Sequence, residues 1–196
     1  MPRTPEPALV KERAAVALIV FARAPEPGCV KTRLIPLLGK KGAARLSRRM
    51  LAKTLRTARS AGFDPELLFS GAQGAGDLGE RMHRAFSRVL KAHKSAILIG
   101  SDCPALKASD LRAAARALRA GASAVLAPAE DGGYALIGLR RNSLRLFSGI
   151  DWGGAEVFAQ TRRRLRRLGW RWKALRMLWD VDRPEDVVRL RKERLL

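Results

Sequence analysis

Short apolar runs rich in Val, Ile, Leu and Ala alternate along the chain with longer stretches in which apolar residues recur every three or four positions. A short run bounded by turn residues suits a strand buried on both faces, and a 3.6-residue period suits a helix with one face on a core. The runs predict strands at 15–22, 66–70, 96–100, 122–127, 134–139 and 170–174. The periodic stretches predict helices at 40–61, 78–93, 109–120, 155–168 and 184–193. Pro184 suits the first turn of the last helix, with Asp182 or Arg183 at its cap. Strand and helix in alternation make βαβ units, so the expected class is α/β, a mostly parallel twisted sheet with helices on both faces.

No fixed-period repeat or low-complexity linker divides the 196 residues, so one domain is expected over 1–196, with residues 1–12 as an N-terminal tail. That tail carries three prolines and no apolar stretch of export-signal length. The longest apolar run, 14–22, falls short of the roughly 20 residues of a membrane helix. A cytoplasmic protein follows. Two cysteines, Cys29 and Cys103, form no CxxC pair or His/Cys cluster, so neither a zinc site nor a disulfide is expected. Both read as reduced, small buried fillers, although their motifs place them close together in a crevice where alkylation would reach them. His83 and His93 read as core or surface imidazoles.

Charge changes the picture of partners. Thirty-nine basic residues against 18 acidic leave +21, a field that attracts polyanions. Two stretches, 40–59 and 162–176, hold no acid. On a helical wheel the first sets Leu46, Met50, Leu51, Leu55 and Ala58 opposite Arg45, Arg48, Arg49, Lys53, Arg56 and Arg59. Such a face is read as solvated, with no aromatic interleaving of the kind that nucleic-acid binders use. A basic nucleic-acid-binding protein is the alternative from another class.

In open α/β sheets ligands bind beyond the carboxyl ends of the strands, and five such places carry chemistry. After the first predicted strand, residues 22–34 combine Pro25, Pro27 and Gly28 with Lys31 and Arg33, a stiff loop with charge-assisted donors for phosphate and a glycine for close approach. The GxxxxGK[ST] spacing is absent. Gln73, with a donor and an acceptor, suits a base edge, and Asp77 suits a helix cap before a core stripe of Leu78, Met82, Phe86 and Val89. Asp102, directly after a buried strand and held by Pro104, is where a ligand for Mg²⁺ or Mn²⁺ belongs, since phosphate and water complete the shell of such an ion. Glu130 to Tyr134 read alone as a turn into a strand. Asp180 and Asp182, at i and i+2, point the same way if extended, and either offers a second metal carboxylate.

Together F-A-R-A-P-E-P-G-C-V-K-T-R-L, G-D-L-G-E-R-M, I-G-S-D-C-P-A-L, D-G-G-Y-A-L-I-G-L and D-V-D-R-P-E-D resemble, in order over 16–190, a bacterial GT-A-type family. It is the glycosyltransferase-like, or nucleotide-diphospho-sugar transferase-like, family of largely unassigned activity. It is related in fold to the 2-phospholactate and molybdenum-cofactor guanylyltransferases. The resemblance implies a Rossmann-like GT-A fold with the base near Ala22, Arg23, Gln73 and Gly79 and the phosphates near Gly28, Lys31 and Arg33. Ser101 joins the nucleotide side. It further implies Mg²⁺ or Mn²⁺ on Asp102 and Asp182, with Asp180 as substitute, and an acceptor entering past Asp131, Gly132, Gly133, Tyr134 and Trp152. The chain departs from the family pattern at Gly154 and Arg183, where threonine is usual, and in a shortened 70–76 segment. The expected function is a metal-dependent transferase with Asp102, Lys31 and Arg33 catalytic. Its substrates would be a nucleotide diphosphate sugar and a small-molecule acceptor. The alternatives are a guanylyltransferase-like enzyme that joins a nucleoside triphosphate to a phosphorylated acceptor, and an inactive binding module.

Overall fold

The computed structural model describes residues 16–195, so the expected N-terminal tail and the first residue of the expected first strand lie outside the described residues. Six strands appear: β1 (Ala17–Ala22), β2 (Pro65–Phe69), β3 (Ala96–Gly100), β4 (Ala124–Pro128), β5 (Tyr134–Leu139) and β6 (Trp172–Ala174). The helices are α1 (Ile35–Ser60), α2 (Leu78–Val89), α3 (Ala108–Arg119), α4 (Leu144–Phe147), α5 (Val157–Arg167) and α6 (Pro184–Lys192). The strands form one sheet in the order β2-β1-β3-β5-β4-β6, parallel except for β5, which runs against both of its neighbours. This is the mostly parallel α/β sheet that the pattern predicts.

Side-chain alternation along each strand divides the core into two layers. Leu18, Val20, Ile97, Ile99 and Val125 face a layer with residues of α1, α3 and α6. Ile19, Phe21, Leu98, Leu126 and Ile137 face the other, with residues of α2, α4 and α5. α1 breaks at Gly39, whose φ is 69°, so its regular part begins at Lys40 as the polar pattern predicts. α4 and the 3₁₀ turns Thr32–Leu34 and Ser70–Gln73 are too short to produce a periodic signal. Asp77 caps α2 through a capping box, and Asp186 accepts from the backbone N–H of Asp182 and Arg183 to cap α6.

One expectation changes. Leu78, the first residue of α2, is 40% exposed and does not belong to the buried stripe of Met82, Phe86 and Val89. Several cations of the second basic stretch are tied to the protein's own carbonyls and carboxylates. Arg164 donates to the Ser148 and Gly149 carbonyls, Arg171 to that of Gly121, and Arg176 pairs with the buried Asp110. Among the described residues no helix is long and apolar enough to cross a membrane.

Candidate active site

β1 leads by way of α1 to β2 on one side, and β3 lies on the other, so the order of connections reverses between β1 and β3. Loops leaving the carboxyl ends of these two strands therefore diverge and leave a crevice. Into it runs the loop after β1. Lys31 adopts a left-handed backbone (φ 48°, ψ 44°) that few non-glycine residues take up. The consequence is local: its side chain turns inward and is 7% exposed, while that of Arg33 two residues on is 68% exposed.

The Lys31 ammonium lies 3.0 Å from Asp102 Oδ2 and 4.0 Å from Asp182 Oδ1. The two carboxylate oxygens are thus no more than about 7 Å apart, the sum of those distances. Arg33 pairs with the other oxygen of Asp182. Ser101 Oγ is 3.4 Å from Asp102 Oδ1, and the Asp102 carbonyl accepts from Val181 N–H at 3.0 Å. That last bond ties the end of β3 to the segment before α6, bringing together two acids eighty positions apart in sequence. α3 is capped at Lys107 through Asp110, so capping does not account for Asp102.

Two cavities open on this crevice. The first, about 270 Å³, is bounded by Arg23, Lys31, Thr32, Arg33, Asp102 and Asp182. Ser47 also reaches it, a residue sequence reasoning missed. Its signal was a hydroxyl on the apolar half of α1, between Ala43 and Met50, and it is 6% exposed. The second, about 310 Å³, has an apolar wall of Leu78, Tyr134, Ala135, Trp152 and Val157. Three carboxylates, Asp102, Asp131 and Asp180, complete it, with the backbone of Gly133 and Gly154. Asp102 lines both cavities.

Asp182 lines the first cavity and Asp180 the second, although each carboxylate is close enough to feel the other's charge, so the i, i+2 spacing does not put both on one cavity. The buried Val181 between them is anchored to the Asp102 carbonyl, and the two acids face different cavities. Burial, and after it the nearby Asp131, push the Asp180 carboxyl up to about 6. Burial likewise raises the Tyr134 hydroxyl above its ordinary range.

Several expected nucleotide residues are placed otherwise. Gln73 is buried, and its amide nitrogen donates to the carbonyls of Leu68 (2.9 Å) and Ala22 (3.3 Å). It braces the ends of β1 and β2, and both of its donors are used there. Gly79 lies under the Trp152 indole, where an added Cβ would come within 2.7 Å, so that face is covered by protein. Gly28 has φ 86° and does not border the first cavity; its role is the turn rather than close approach. Of the expected acceptor-side residues, Asp131, Gly133, Tyr134 and Trp152 line the second cavity. Gly132, with φ 87°, packs so tightly that an added Cβ would lie 1.8 Å from the Ala155 carbonyl oxygen. The cysteines part company: Cys29 is exposed, while Cys103 is buried in the second cavity's wall with its thiol pushed up to about 11 by burial. Neither histidine lies in either cavity.

Residues 42–154, more than half of the chain, match the family described as "Uncharacterized protein conserved in bacteria (DUF2064)". The chain belongs to this family. A proposed nucleotide-diphospho-sugar transferase from Desulfovibrio desulfuricans G20 is similar to this DUF2064 member at 30% identity and a TM-score of 0.80, over 87% of this chain and 83% of that one. Two more distant structures share the fold. One is a CMP:2-keto-3-deoxy-manno-octonic acid synthetase complexed with CTP, at 13% identity and TM-score 0.50 over 92% and 98% of the two chains. The other is Rv0371c of Mycobacterium tuberculosis H37Rv in complex with manganese, at 19% and 0.55 over 90% and 98%. No protein of curated function matches this DUF2064 member.

Proposed function

We propose that the chain is a metal-assisted transferase, taking a nucleotide diphosphate sugar by its phosphates in the first cavity and passing the sugar to an acceptor in the second. The observation that carries this reading is the position of Asp102, which borders both cavities and is paired with Lys31 at 3.0 Å. A donor's diphosphate and an acceptor's reacting group would meet at that wall. The similarity to the Desulfovibrio protein supports the sugar-nucleotide class.

Lys31 and Arg33 are paired with Asp102 and Asp182. An incoming diphosphate offers oxygens of higher charge, so both cations exchange a carboxylate for phosphate. They then offset the charge that builds on the leaving diphosphate, an interaction stronger in the transition state than in the ground state. The exchange also frees two carboxylates beside an anion, which is unfavourable unless a further cation arrives. The residues present fit Mg²⁺ or Mn²⁺. Two acids from distant segments converge within reach of one ammonium, and among the described residues no group of three His, Cys, Asp or Glu side chains could hold an ion unaided. That is the donor set of an ion whose shell is completed by substrate phosphate. When bound, it would neutralise diphosphate charge, held by Asp102 and Asp182.

The same cations suit a nucleoside triphosphate that releases pyrophosphate toward Lys31 and Arg33, and product analysis separates the two readings: nucleoside diphosphate for sugar transfer, pyrophosphate for nucleotidyl transfer. The test of the site is thermal stabilisation by nucleoside diphosphates and their sugars with and without Mn²⁺. A ligand at 100 times its Kd stabilises by about 2.7 kcal/mol. Asp102→Asn is expected to abolish the Mn²⁺-dependent part, and Asp182→Asn to weaken it more than Asp180→Asn does. Undiminished Mn²⁺-dependent stabilisation in Asp102→Asn overturns the reading.

A further inference from the structure

We infer that the second cavity selects a neutral or cationic acceptor, an alcohol or amine carried on an apolar or ring-shaped body, and excludes phosphorylated and carboxylated ones. The inference rests on the reading of this cavity as the acceptor side.

The chain has 39 basic residues to 18 acidic, yet the second cavity is lined by three carboxylates and by no lysine or arginine. The first has Arg23, Lys31 and Arg33. Cations have thus been kept out of one wall in a molecule where they are common everywhere else. Asp102 is paired with Lys31, whose charge also reaches Asp180 although its side chain borders only the first cavity; among the described residues neither Asp131 nor Asp180 forms an ion pair within 4.0 Å. Asp131 accepts from Gly133 N–H at 2.9 Å, which holds its carboxylate at the cavity mouth. At the part of the wall away from Asp102, an anionic acceptor would meet Asp131 and Asp180 with no cationic side chain lining the cavity to receive it, and would be disfavoured as like charges are at interfaces. Hydroxyl and ammonium groups instead find acceptor-only carboxylate oxygens, which is what a sugar, polyol or amine requires.

The apolar wall sets the body of the ligand. Trp152 stands edge-on to Tyr134, with ring centroids 6.4 Å apart at 84°, and Leu78, 40% exposed, projects over the entrance. Aromatic faces beside carboxylates suit a ring bearing hydroxyl groups, or a cation held over the π-face. The runner-up enzyme reading, with a phosphate as nucleophile, does not suit this wall.

Four small probes of matched shape test this: benzyl alcohol, benzylamine, benzoate and phenyl phosphate, titrated into the full chain without nucleotide. The Trp152 indole N–H, assigned with Trp152→Phe, is followed by ¹H–¹⁵N NMR. Benzylamine and benzyl alcohol are expected to bind at least about tenfold tighter than either anion, the size of one unscreened charge contact of about 1.4 kcal/mol. This holds against a +21 background that favours anions everywhere else. Asp131→Asn and Asp180→Asn should each narrow the gap, weakening the amine and strengthening benzoate. Equal or tighter binding of an anion overturns the inference, as does no response of Trp152 to any probe, or a gap that neither substitution narrows. If Mn²⁺-nucleotide binding survives while the probe preference fails, this inference falls alone. The reverse result removes the transferase reading and with it the ligand's role as acceptor, and leaves the cavity's preference for neutral and cationic ligands standing.

Discussion

The two cavities share one residue and otherwise oppose each other. In the first, every acid has a basic partner: Lys31 on Asp102, Arg33 on Asp182. In the second, Asp131 and Asp180 both line the wall, and burial, then the charge of Asp131, push the Asp180 carboxyl up to about 6. On the proposed reading, these pairs hold back two of the first cavity's three cations, Lys31 and Arg33, until a phosphate displaces the acids. A site that collects acids without cations rejects the same phosphate. On the proposed reading the difference assigns each substrate its own cavity, and Asp102 borders both.

The largest effect that separates the two is expected on the second cavity alone. Gly132→Ala places a methyl 1.8 Å from the Ala155 carbonyl at a backbone φ of 87°, so the turn must part from the segment entering α5. A loss of about 2–4 kcal/mol in urea unfolding is expected, the range of strained-backbone and overpacking changes. At temperatures where the variant is folded, nucleotide binding in the first cavity should persist. A loss under about 1 kcal/mol would mean that the turn is free of α5 in solution. Next comes the paired cation: Lys31→Ala should weaken nucleotide diphosphate binding by about 1.5–3 kcal/mol in calorimetry, the range for hydrogen bonds to charged groups. Arg33→Ala should cost only about 1 kcal/mol, because its guanidinium is solvated. Equal losses would show that the left-handed turn at Lys31 confers no advantage. The smallest effect concerns thiols. With its pKa raised to about 11, Cys103 stays neutral at pH 8 and should resist iodoacetamide, gaining reactivity only as pH rises toward that value, whereas exposed Cys29 reacts first. Mass spectrometry of the time course checks the order, and simultaneous labelling would place Cys103 at the surface.

Most of the fold was legible because each strand and long helix carries its own period: Leu18 to Ala22 for a buried strand, Met82, Phe86 and Val89 for an amphipathic helix. The approach of Asp182 to Asp102 was legible only through motif order, since no local pattern joins positions eighty apart, and the pairing of Lys31 and Arg33 with these acids was not legible at all. What was not legible depended on which side of a peptide a group faces. Gln73 has the chemistry of base recognition, but the sequence does not say that two carbonyls reach it first. Asp180 and Asp182 share a parity, but the anchoring of Val181 sends them apart. Glycine spacing could not reveal that Trp152 covers Gly79 while Gly132 is pressed against Ala155.

The hydrogen bond from Val181 N–H to the Asp102 carbonyl is made between main-chain atoms, so it is indifferent to side-chain identity at both ends. It acts as a fixed ruler between the two pockets. Substitutions at Leu78, Tyr134, Trp152 or Gly154 can recast the wall of the second cavity without altering its distance from the first. If the two cavities hold acceptor and donor as proposed, one acceptor can be exchanged for another through wall residues alone, with the phosphate-handling half and the distance of transfer unchanged.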